Sequence, residues 1–355
     1  MVTRLHRILA LFLFARIALA QGPYYYQAKS FGSQALYNPI YLLVNGSYDI
    51  IQLDGHSREI FAFPFGTASR NVLKNLGEPF GPISRFGWGN FLRNELFPIN
   101  WSKTGGQWWP NYQLHLVGGG MTYVAMREWY AYYRFPSPAL SSFVTMASYH
   151  LLNEFVENEA YVGDNVDPIA DLYVFDLGGI LLFSFDSINE FFSKTLNLAD
   201  WSLQPSFSPN RFTLHNNGQY FSVKWKFPFS TQWYLFYYFG MNGLTGLSFK
   251  IDECSALSFG AGLREKLVRV VNTTTNQKSG ELVWNIGMFY DKENSLMASL
   301  FLSGLTDNVV NLNVYPGIVG TGSFSPGLWL IMNRHGNLQV GFTTVWFPGL
   351  AFGRY

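Results

Sequence analysis

Residues 219–227 read Gln-Tyr-Phe-Ser-Val-Lys-Trp-Lys-Phe, with Tyr220, Ser222, Lys224 and Lys226 alternating against Phe221, Val223 and Trp225. Successive side chains of a strand point to opposite faces, so this run has one apolar and one polar face. Lys224 and Lys226 cannot both face lipid and should face a lumen or water. The texture continues to the end of the chain. Strand-like runs cover Thr231–Phe239, Leu244–Ile251, Ser255–Leu263, Lys266–Val271, Leu282–Tyr290, Ser295–Leu302, Val309–Val314, Leu328–Met332 and Leu338–Phe347. Turn signals separate many of them, among them Asn242-Gly243, Asp291-Lys292-Glu293-Asn294 and Thr306-Asp307-Asn308. Short strands at even spacing indicate a sandwich or a barrel.

Composition favours the barrel. Of 355 residues, charged ones are 13% and aromatic ones 18%, where a soluble domain carries roughly 25% charged residues. That balance suits either a very large dry core or a surface turned to lipid. Mean hydropathy is close to zero, which argues against a bundle of long apolar helices; a barrel hides its apolar residues by alternation. A net charge of +1 without a basic stripe makes nucleic acid an unsuitable partner. Cys254 stands alone, which excludes an intrachain disulfide and a Cys-rich zinc site.

The first 20 residues read as a signal peptide. Arg4, His6 and Arg7 precede the apolar run Leu9–Leu19, and Ala18-Leu19-Ala20 fits the cleavage rule. Arg16 interrupts the run, and an N-terminal anchor helix is the alternative. Residues 21–110 are expected to be an irregular or strand segment, with alternating runs at Leu36–Val44 and Tyr48–Leu53 and punctuation such as Pro64-Phe65-Gly66. Strands of the barrel are expected over 210–355, ending on the aromatic Tyr355.

Between them, 111–196 is expected to be a helical insert of three helices, at about 111–130, 138–158 and 168–196. Pro138 and the pair Asp167-Pro168 give start signals. His115, Gly119, Tyr123 and Arg127 recur every four residues and form one slanting stripe. Gly118, Gly119 and Gly120 together cost about 2–3 kcal/mol of helix propensity, a cost usually met by close approach of another backbone. His150, Glu154 and Glu157 share one face of the second helix; Asp164, Asp167, Asp171 and Asp176 punctuate the third. Two readings follow. His115, His150, Glu154 and Asp171 could converge on a metal, a lipid headgroup or acid–base chemistry, with His115, His150 and Glu154 as catalytic candidates and His150 and Glu154 as metal candidates. Alternatively the same polar faces make ion pairs, such as Arg127–Glu154, that lock helices together.

At these residues the chain resembles a family of uncharacterised bacterial envelope proteins with the pattern His-x3-Gly-x3-Tyr-x3-Arg, then a Ser-rich helix with a Glu-containing aromatic segment, then Pro-x2-Asp-Leu and a Gly-rich apolar run. The matching positions are His115, Gly119, Tyr123 and Arg127, then Asn153-Glu154, then Pro168, Asp171 and Leu172, over about 75 residues. The resemblance implies a membrane-associated domain of unknown role and supplies no activity.

The expectation is an antiparallel transmembrane β-barrel of about 10–12 strands in a bacterial outer membrane, structural or transport-type, with the helices as plug or platform. Its partners would be membrane lipid or lipopolysaccharide and the barrel-assembly machinery; no cofactor is expected. Alternatives are an envelope enzyme acting on lipid through the His115, His150 and Glu154 face, an inner-membrane helical protein, and a soluble lipid-binding sandwich.

Overall fold

The computed structural model describes residues 22–98, 109–272, 277–320 and 324–353. The expected signal peptide and the terminal Tyr355 lie outside the described residues.

Helices come first among the described residues: α1 (Gly32–Leu36), α2 (Pro39–Ser47), α3 (Phe65–Gly77), α4 (Phe80–Phe86) and α5 (Trp88–Phe91). This corrects the irregular or strand-like expectation for 21–110. The runs at 36–44 and 48–53 alternate only briefly, and Asn38 overrides them. Its side chain accepts from the Ile40 and Tyr41 amides, and Pro39 pre-sets the first turn.

The central helices fall close to expectation. A π-helical stretch (Trp109–Gly119) runs into α6 (Gly120–Tyr132), followed by α7 (Pro138–Asn158). The third unit is broken: α8 (Asp167–Ala170), a π-helical stretch (Asp171–Asp176), α9 (Leu177–Leu182), then α10 (Asp186–Glu190) after a bend of 85°. Among the described residues no single helix is long and apolar enough to cross a membrane.

The rest is one 13-stranded sheet. Short strands β1 (Ala199–Asp200), β2 (Ser206–Ser208) and β3 (Thr213–His215) precede a meander of β4 (Phe221–Lys226), β5 (Trp233–Phe239), β6 (Asn242–Lys250), β7 (Ser255–Asn272), β8 (Gln277–Lys292), β9 (Ser295–Ser303), β10 (Val310–Val314), β11 (Gly327–Met332), β12 (Leu338–Thr343) and β13 (Gly349–Gly353). Each meander strand pairs antiparallel with the next. The expected runs at 255–263 and 266–271 are one strand with a register shift between Glu265 and Leu267. Strand β13, beyond Pro348, and the three short strands were not legible in the alternation.

The two faces of the meander differ. Direct register neighbours on one face run Trp225, Leu235, Leu247, Phe259, Met288, Leu300, Leu312, Leu330, Val340 and Phe352, one from each of β4–β13. Eight of these ten are exposed large hydrophobics. The opposite face buries Ser222, Lys224, Asn242, Ser258, Arg264, Asn285, Ser299, Asn311, Asn313 and Gln339 beside Phe236, Tyr238, Phe289 and Phe301. Lys224 points to this inner face and bonds Asp291 at 2.7 Å, whereas Lys226 at the strand end is exposed.

The helices attach on both sides. Leu36 and Tyr41 join the inner aromatic cluster of Trp201, Phe236, Tyr238 and Phe289. On the outer face, Met121, Val124, Ala125 and Phe183 pack over Phe221 and Phe239, with Val223 and Tyr237 partly buried against them. Residues 111–196 therefore lie beside the sheet, against the outer face of β4 and β5. The Glu128 carboxylate ties the N-terminal segment down by accepting from the Tyr24, Tyr25 and Tyr26 amides at 2.7, 2.9 and 2.8 Å.

Candidate functional site: a buried His–His–Asp centre

Three glycines make the site. A Cβ on Gly179 would stand 2.6 Å from the Leu116 carbonyl oxygen and 3.1 Å from that of His115. One on Gly120 would meet the Gly179 carbonyl oxygen at 2.8 Å. The expected backbone approach at the glycine run is therefore present, and its partner is α9. Gly119 faces Met146, His150 and Asp176, so it opens the space that three helical segments share.

Into that space project His115 from the first π-helical stretch, His150 from α7 and Asp176 from the second. The His115 Nδ1 lies 3.0 Å from Asp176 Oδ1, and His150 Nδ1 lies 2.6 Å from Asp176 Oδ2. The two Nδ1 atoms are 3.1 Å apart, with the rings edge to face at 81°. On its other side, His115 Nε2 lies 3.4 Å from Asp171 Oδ2. The remaining Asp171 oxygen is buried without a hydrogen-bond partner. Both carboxylate-bearing positions and His115 sit on π-helical turns, a geometry frequent at functional sites because the wider turn re-aims side chains.

Electrostatics separate the roles. Burial is the largest single influence on the His115 imidazole and lowers it, but the charge and hydrogen bond of Asp176, with Glu154 and Glu157, together outweigh it and lift its pKa to about 9. Burial dominates at His150 and holds it below its ordinary value. Burial pushes Asp176 up, yet the two imidazoles win and keep it below the ordinary carboxylate range. Glu154 and Asp171 are driven well above theirs, first by burial, then at Glu154 by the charges of Asp171 and Asp167, and at Asp171 by those of Asp167 and Asp176.

His115, Gly119 and His150 meet, Asp171 supports His115, and Glu154 lies buried one turn along α7 from His150. Glu157 is only half buried, and Asp167 sits at the start of α8. Arg127 departs from the expectation of an Arg127–Glu154 pair: its guanidinium lies over the Tyr123 ring at 6.0 Å and makes no ion pair with Glu154. Four-residue spacing drifts by about 40° per step, enough to carry the end of the stripe off the shared face. The hub of the site, Asp176, stands in the sequence as one of four acids on the third helical stretch, just ahead of Gly178-Gly179, and is absent from the residues expected to converge with His115 and His150.

Comparisons with protein-family models, with curated proteins and with solved structures returned no match for this chain.

Proposed function

We propose that this protein is a membrane-spanning β-barrel of a bacterial outer membrane, structural in role, with strands as the spanning segments and the helices as a platform on its outer wall. The carrying observation is the belt of ten register neighbours from Trp225 to Phe352, apolar and mostly exposed, opposite an inner face of Asn, Ser, Gly and an ion pair. A water-soluble sheet buries its apolar face; lipid asks for the reverse. At about 25 cal/mol per Å², such a belt left in water forgoes a large stabilisation.

Closure is part of the proposal. Strands β1 and β2 belong to one extended segment, 199–208, and β3 and β4 to another, 213–226. The first pairs with the second through Asp200–Phe221, the Trp201 and Leu203 amides, and Ser206–His215. Its other edge pairs in parallel with β13 through Leu350–Phe207. Read this way, the two joined segments and β5–β13 make a ring of eleven strands. An odd ring of up-and-down strands requires one parallel neighbour pair, and β13–β2 supplies it. The interior is filled by Trp201, Phe236, Tyr238 and Phe289 and by Asn216, Asn311 and Asn313, which favours a structural role over an open channel.

The same proposal includes export by residues 1–20, insertion by the barrel-assembly machinery, contact with lipid and lipopolysaccharide, and kinship with the envelope family the central motif resembles. The burial of His115 and His150 suits a structural or ligand-binding role better than turnover of a lipid. Fractionation followed by gel mobility with and without boiling tests the reading. Outer-membrane recovery with heat-modifiable mobility is expected; a soluble protein with unchanged mobility refutes it. Closure is tested by oxidising Phe207→Cys/Leu350→Cys in a Cys254→Ser background. A crosslink that shifts the unboiled band is expected, and its failure beside an efficient Trp225→Cys/Leu235→Cys control refutes the ring.

A further inference from the structure

We propose that His115, His150 and Asp176 bind a divalent transition-metal ion, zinc in the first instance, through the two Nδ1 atoms and the Asp176 carboxylate. The candidate ligand atoms all lie within 4.8 Å of one another. Metal–ligand bonds of about 2.1 Å at tetrahedral zinc set ligand–ligand edges of roughly 3.4 Å, so the contacts of 2.6, 3.0 and 3.1 Å open by several tenths of an ångström as the ion enters.

Three observations point to a cation rather than to a plain hydrogen-bonded cluster. First, the two Nδ1 atoms lie 3.1 Å apart and face the same Asp176 carboxylate, at 3.0 Å from one oxygen and 2.6 Å from the other, so the ligand atoms converge on one shared point. Second, a carboxylate on the far nitrogen of a ligating histidine is the usual way proteins orient such a ligand and raise its basicity. The free Asp171 oxygen, buried and without a partner, gives that carboxylate unspent capacity. Third, Glu154 and Asp171 are both buried around the centre, and among the described residues no lysine or arginine pairs with either. Imidazole and carboxylate together suit zinc and its first-row neighbours.

Without a metal the central positive charge is a second proton on His115, held between Nδ1 and Asp176. Metal binding releases that proton, and the His150 proton moves from Nδ1 to Nε2, so atoms and charge balance with one proton lost to solvent. The inference does not rest on the barrel reading, since it concerns the helical layer alone.

The test uses the full chain, stripped with chelator and titrated with Zn2+, then with Co2+ as a visible probe. One ion per chain and Co2+ d–d absorption of a nitrogen–oxygen site are expected. His115→Gln, His150→Gln and Asp176→Asn should each weaken binding more than a hundredfold. Asp171→Asn should weaken it by about 10–100-fold, as loss of an orienting partner does. Zinc-edge X-ray absorption of the loaded wild type counts imidazoles without any variant, so a misfolding substitution leaves the question decidable. Absence of a Co2+ spectrum in the wild type, fewer than two imidazoles at zinc, or unchanged affinity in all three folded ligand variants overturns the proposal.

Discussion

Replacing Gly179 by alanine tests the close approach that builds the centre. Alanine at an ordinary helix position stabilises by about 1 kcal/mol over glycine. At Gly179 the new Cβ would lie 2.6 Å from the Leu116 carbonyl oxygen and 3.1 Å from the Gly120 nitrogen. Ordinary contact begins near 3.4 Å, so the stretch 109–119 must retreat from α9 by several tenths of an ångström. The obstructing atoms are backbone and cannot rotate aside. Overpacking of this kind costs about 1–3 kcal/mol, and because no side chain can yield we place it at the upper end. The net expectation is a loss of about 1–2 kcal/mol once the propensity gain is subtracted. The comparison is Gly66→Ala in α3, where a Cβ meets nothing within 4 Å, and where a small gain is expected. Urea titration of the purified protein, followed by far-ultraviolet circular dichroism, reads both. If Gly179→Ala is as stable as the wild type while Gly66→Ala shows its gain, the backbone contact between the two helical segments is wrong.

Three further outcomes are expected. Lys224→Met leaves Asp291, almost wholly buried, without its cation and should destabilise by about 3–5 kcal/mol; the pair Lys224→Met/Asp291→Leu should recover most of it, as measured by the folded fraction on unboiled gels. Leu247→Arg, on the outer belt, should cost about 2–4 kcal/mol of stability in bilayers if its depth is near the midplane, and equal stability of the wild type and variant in liposomes contradicts the membrane belt. Acid should loosen the Arg85–Asp164 contact: hydrogen bonding from Arg85 holds Asp164 below its ordinary pKa, so its contribution is present above about pH 4 and is lost as pH falls through the lowered value. The side chains are partly exposed, so the effect is small, and Arg85→Gln should remove that part of the acid dependence in circular dichroism titrations.

Much of the strand pattern was legible because each strand carries its own evidence. Ser295–Ser303 and Val310–Val314 alternate plainly, and their ends differ from expectation by a residue or so. Residues 138–158 were equally plain, because Pro138 marks the start and the polar positions keep helical spacing. Strands β1–β3 were not legible: two or three residues are too few to show a period, and pairing across the sheet defines them. Helices α2 and α3 escaped the pattern because capping by Asn38 at α2 and packing of both on α7 outweigh a weak local alternation.

The sequence by itself determined the alternating strands, the first two central helices, the glycine run and the two histidines, because these depend on period, propensity and residue type. Only the tertiary structure decided that Gly120 and Gly179 meet, that Asp176 joins His115 and His150, and that Arg127 does not take part. It also decided that residues 111–196 pack against the outer face of β4 and β5. Such contacts join segments about 35 and 61 residues apart, and no local pattern specifies which helical faces will meet.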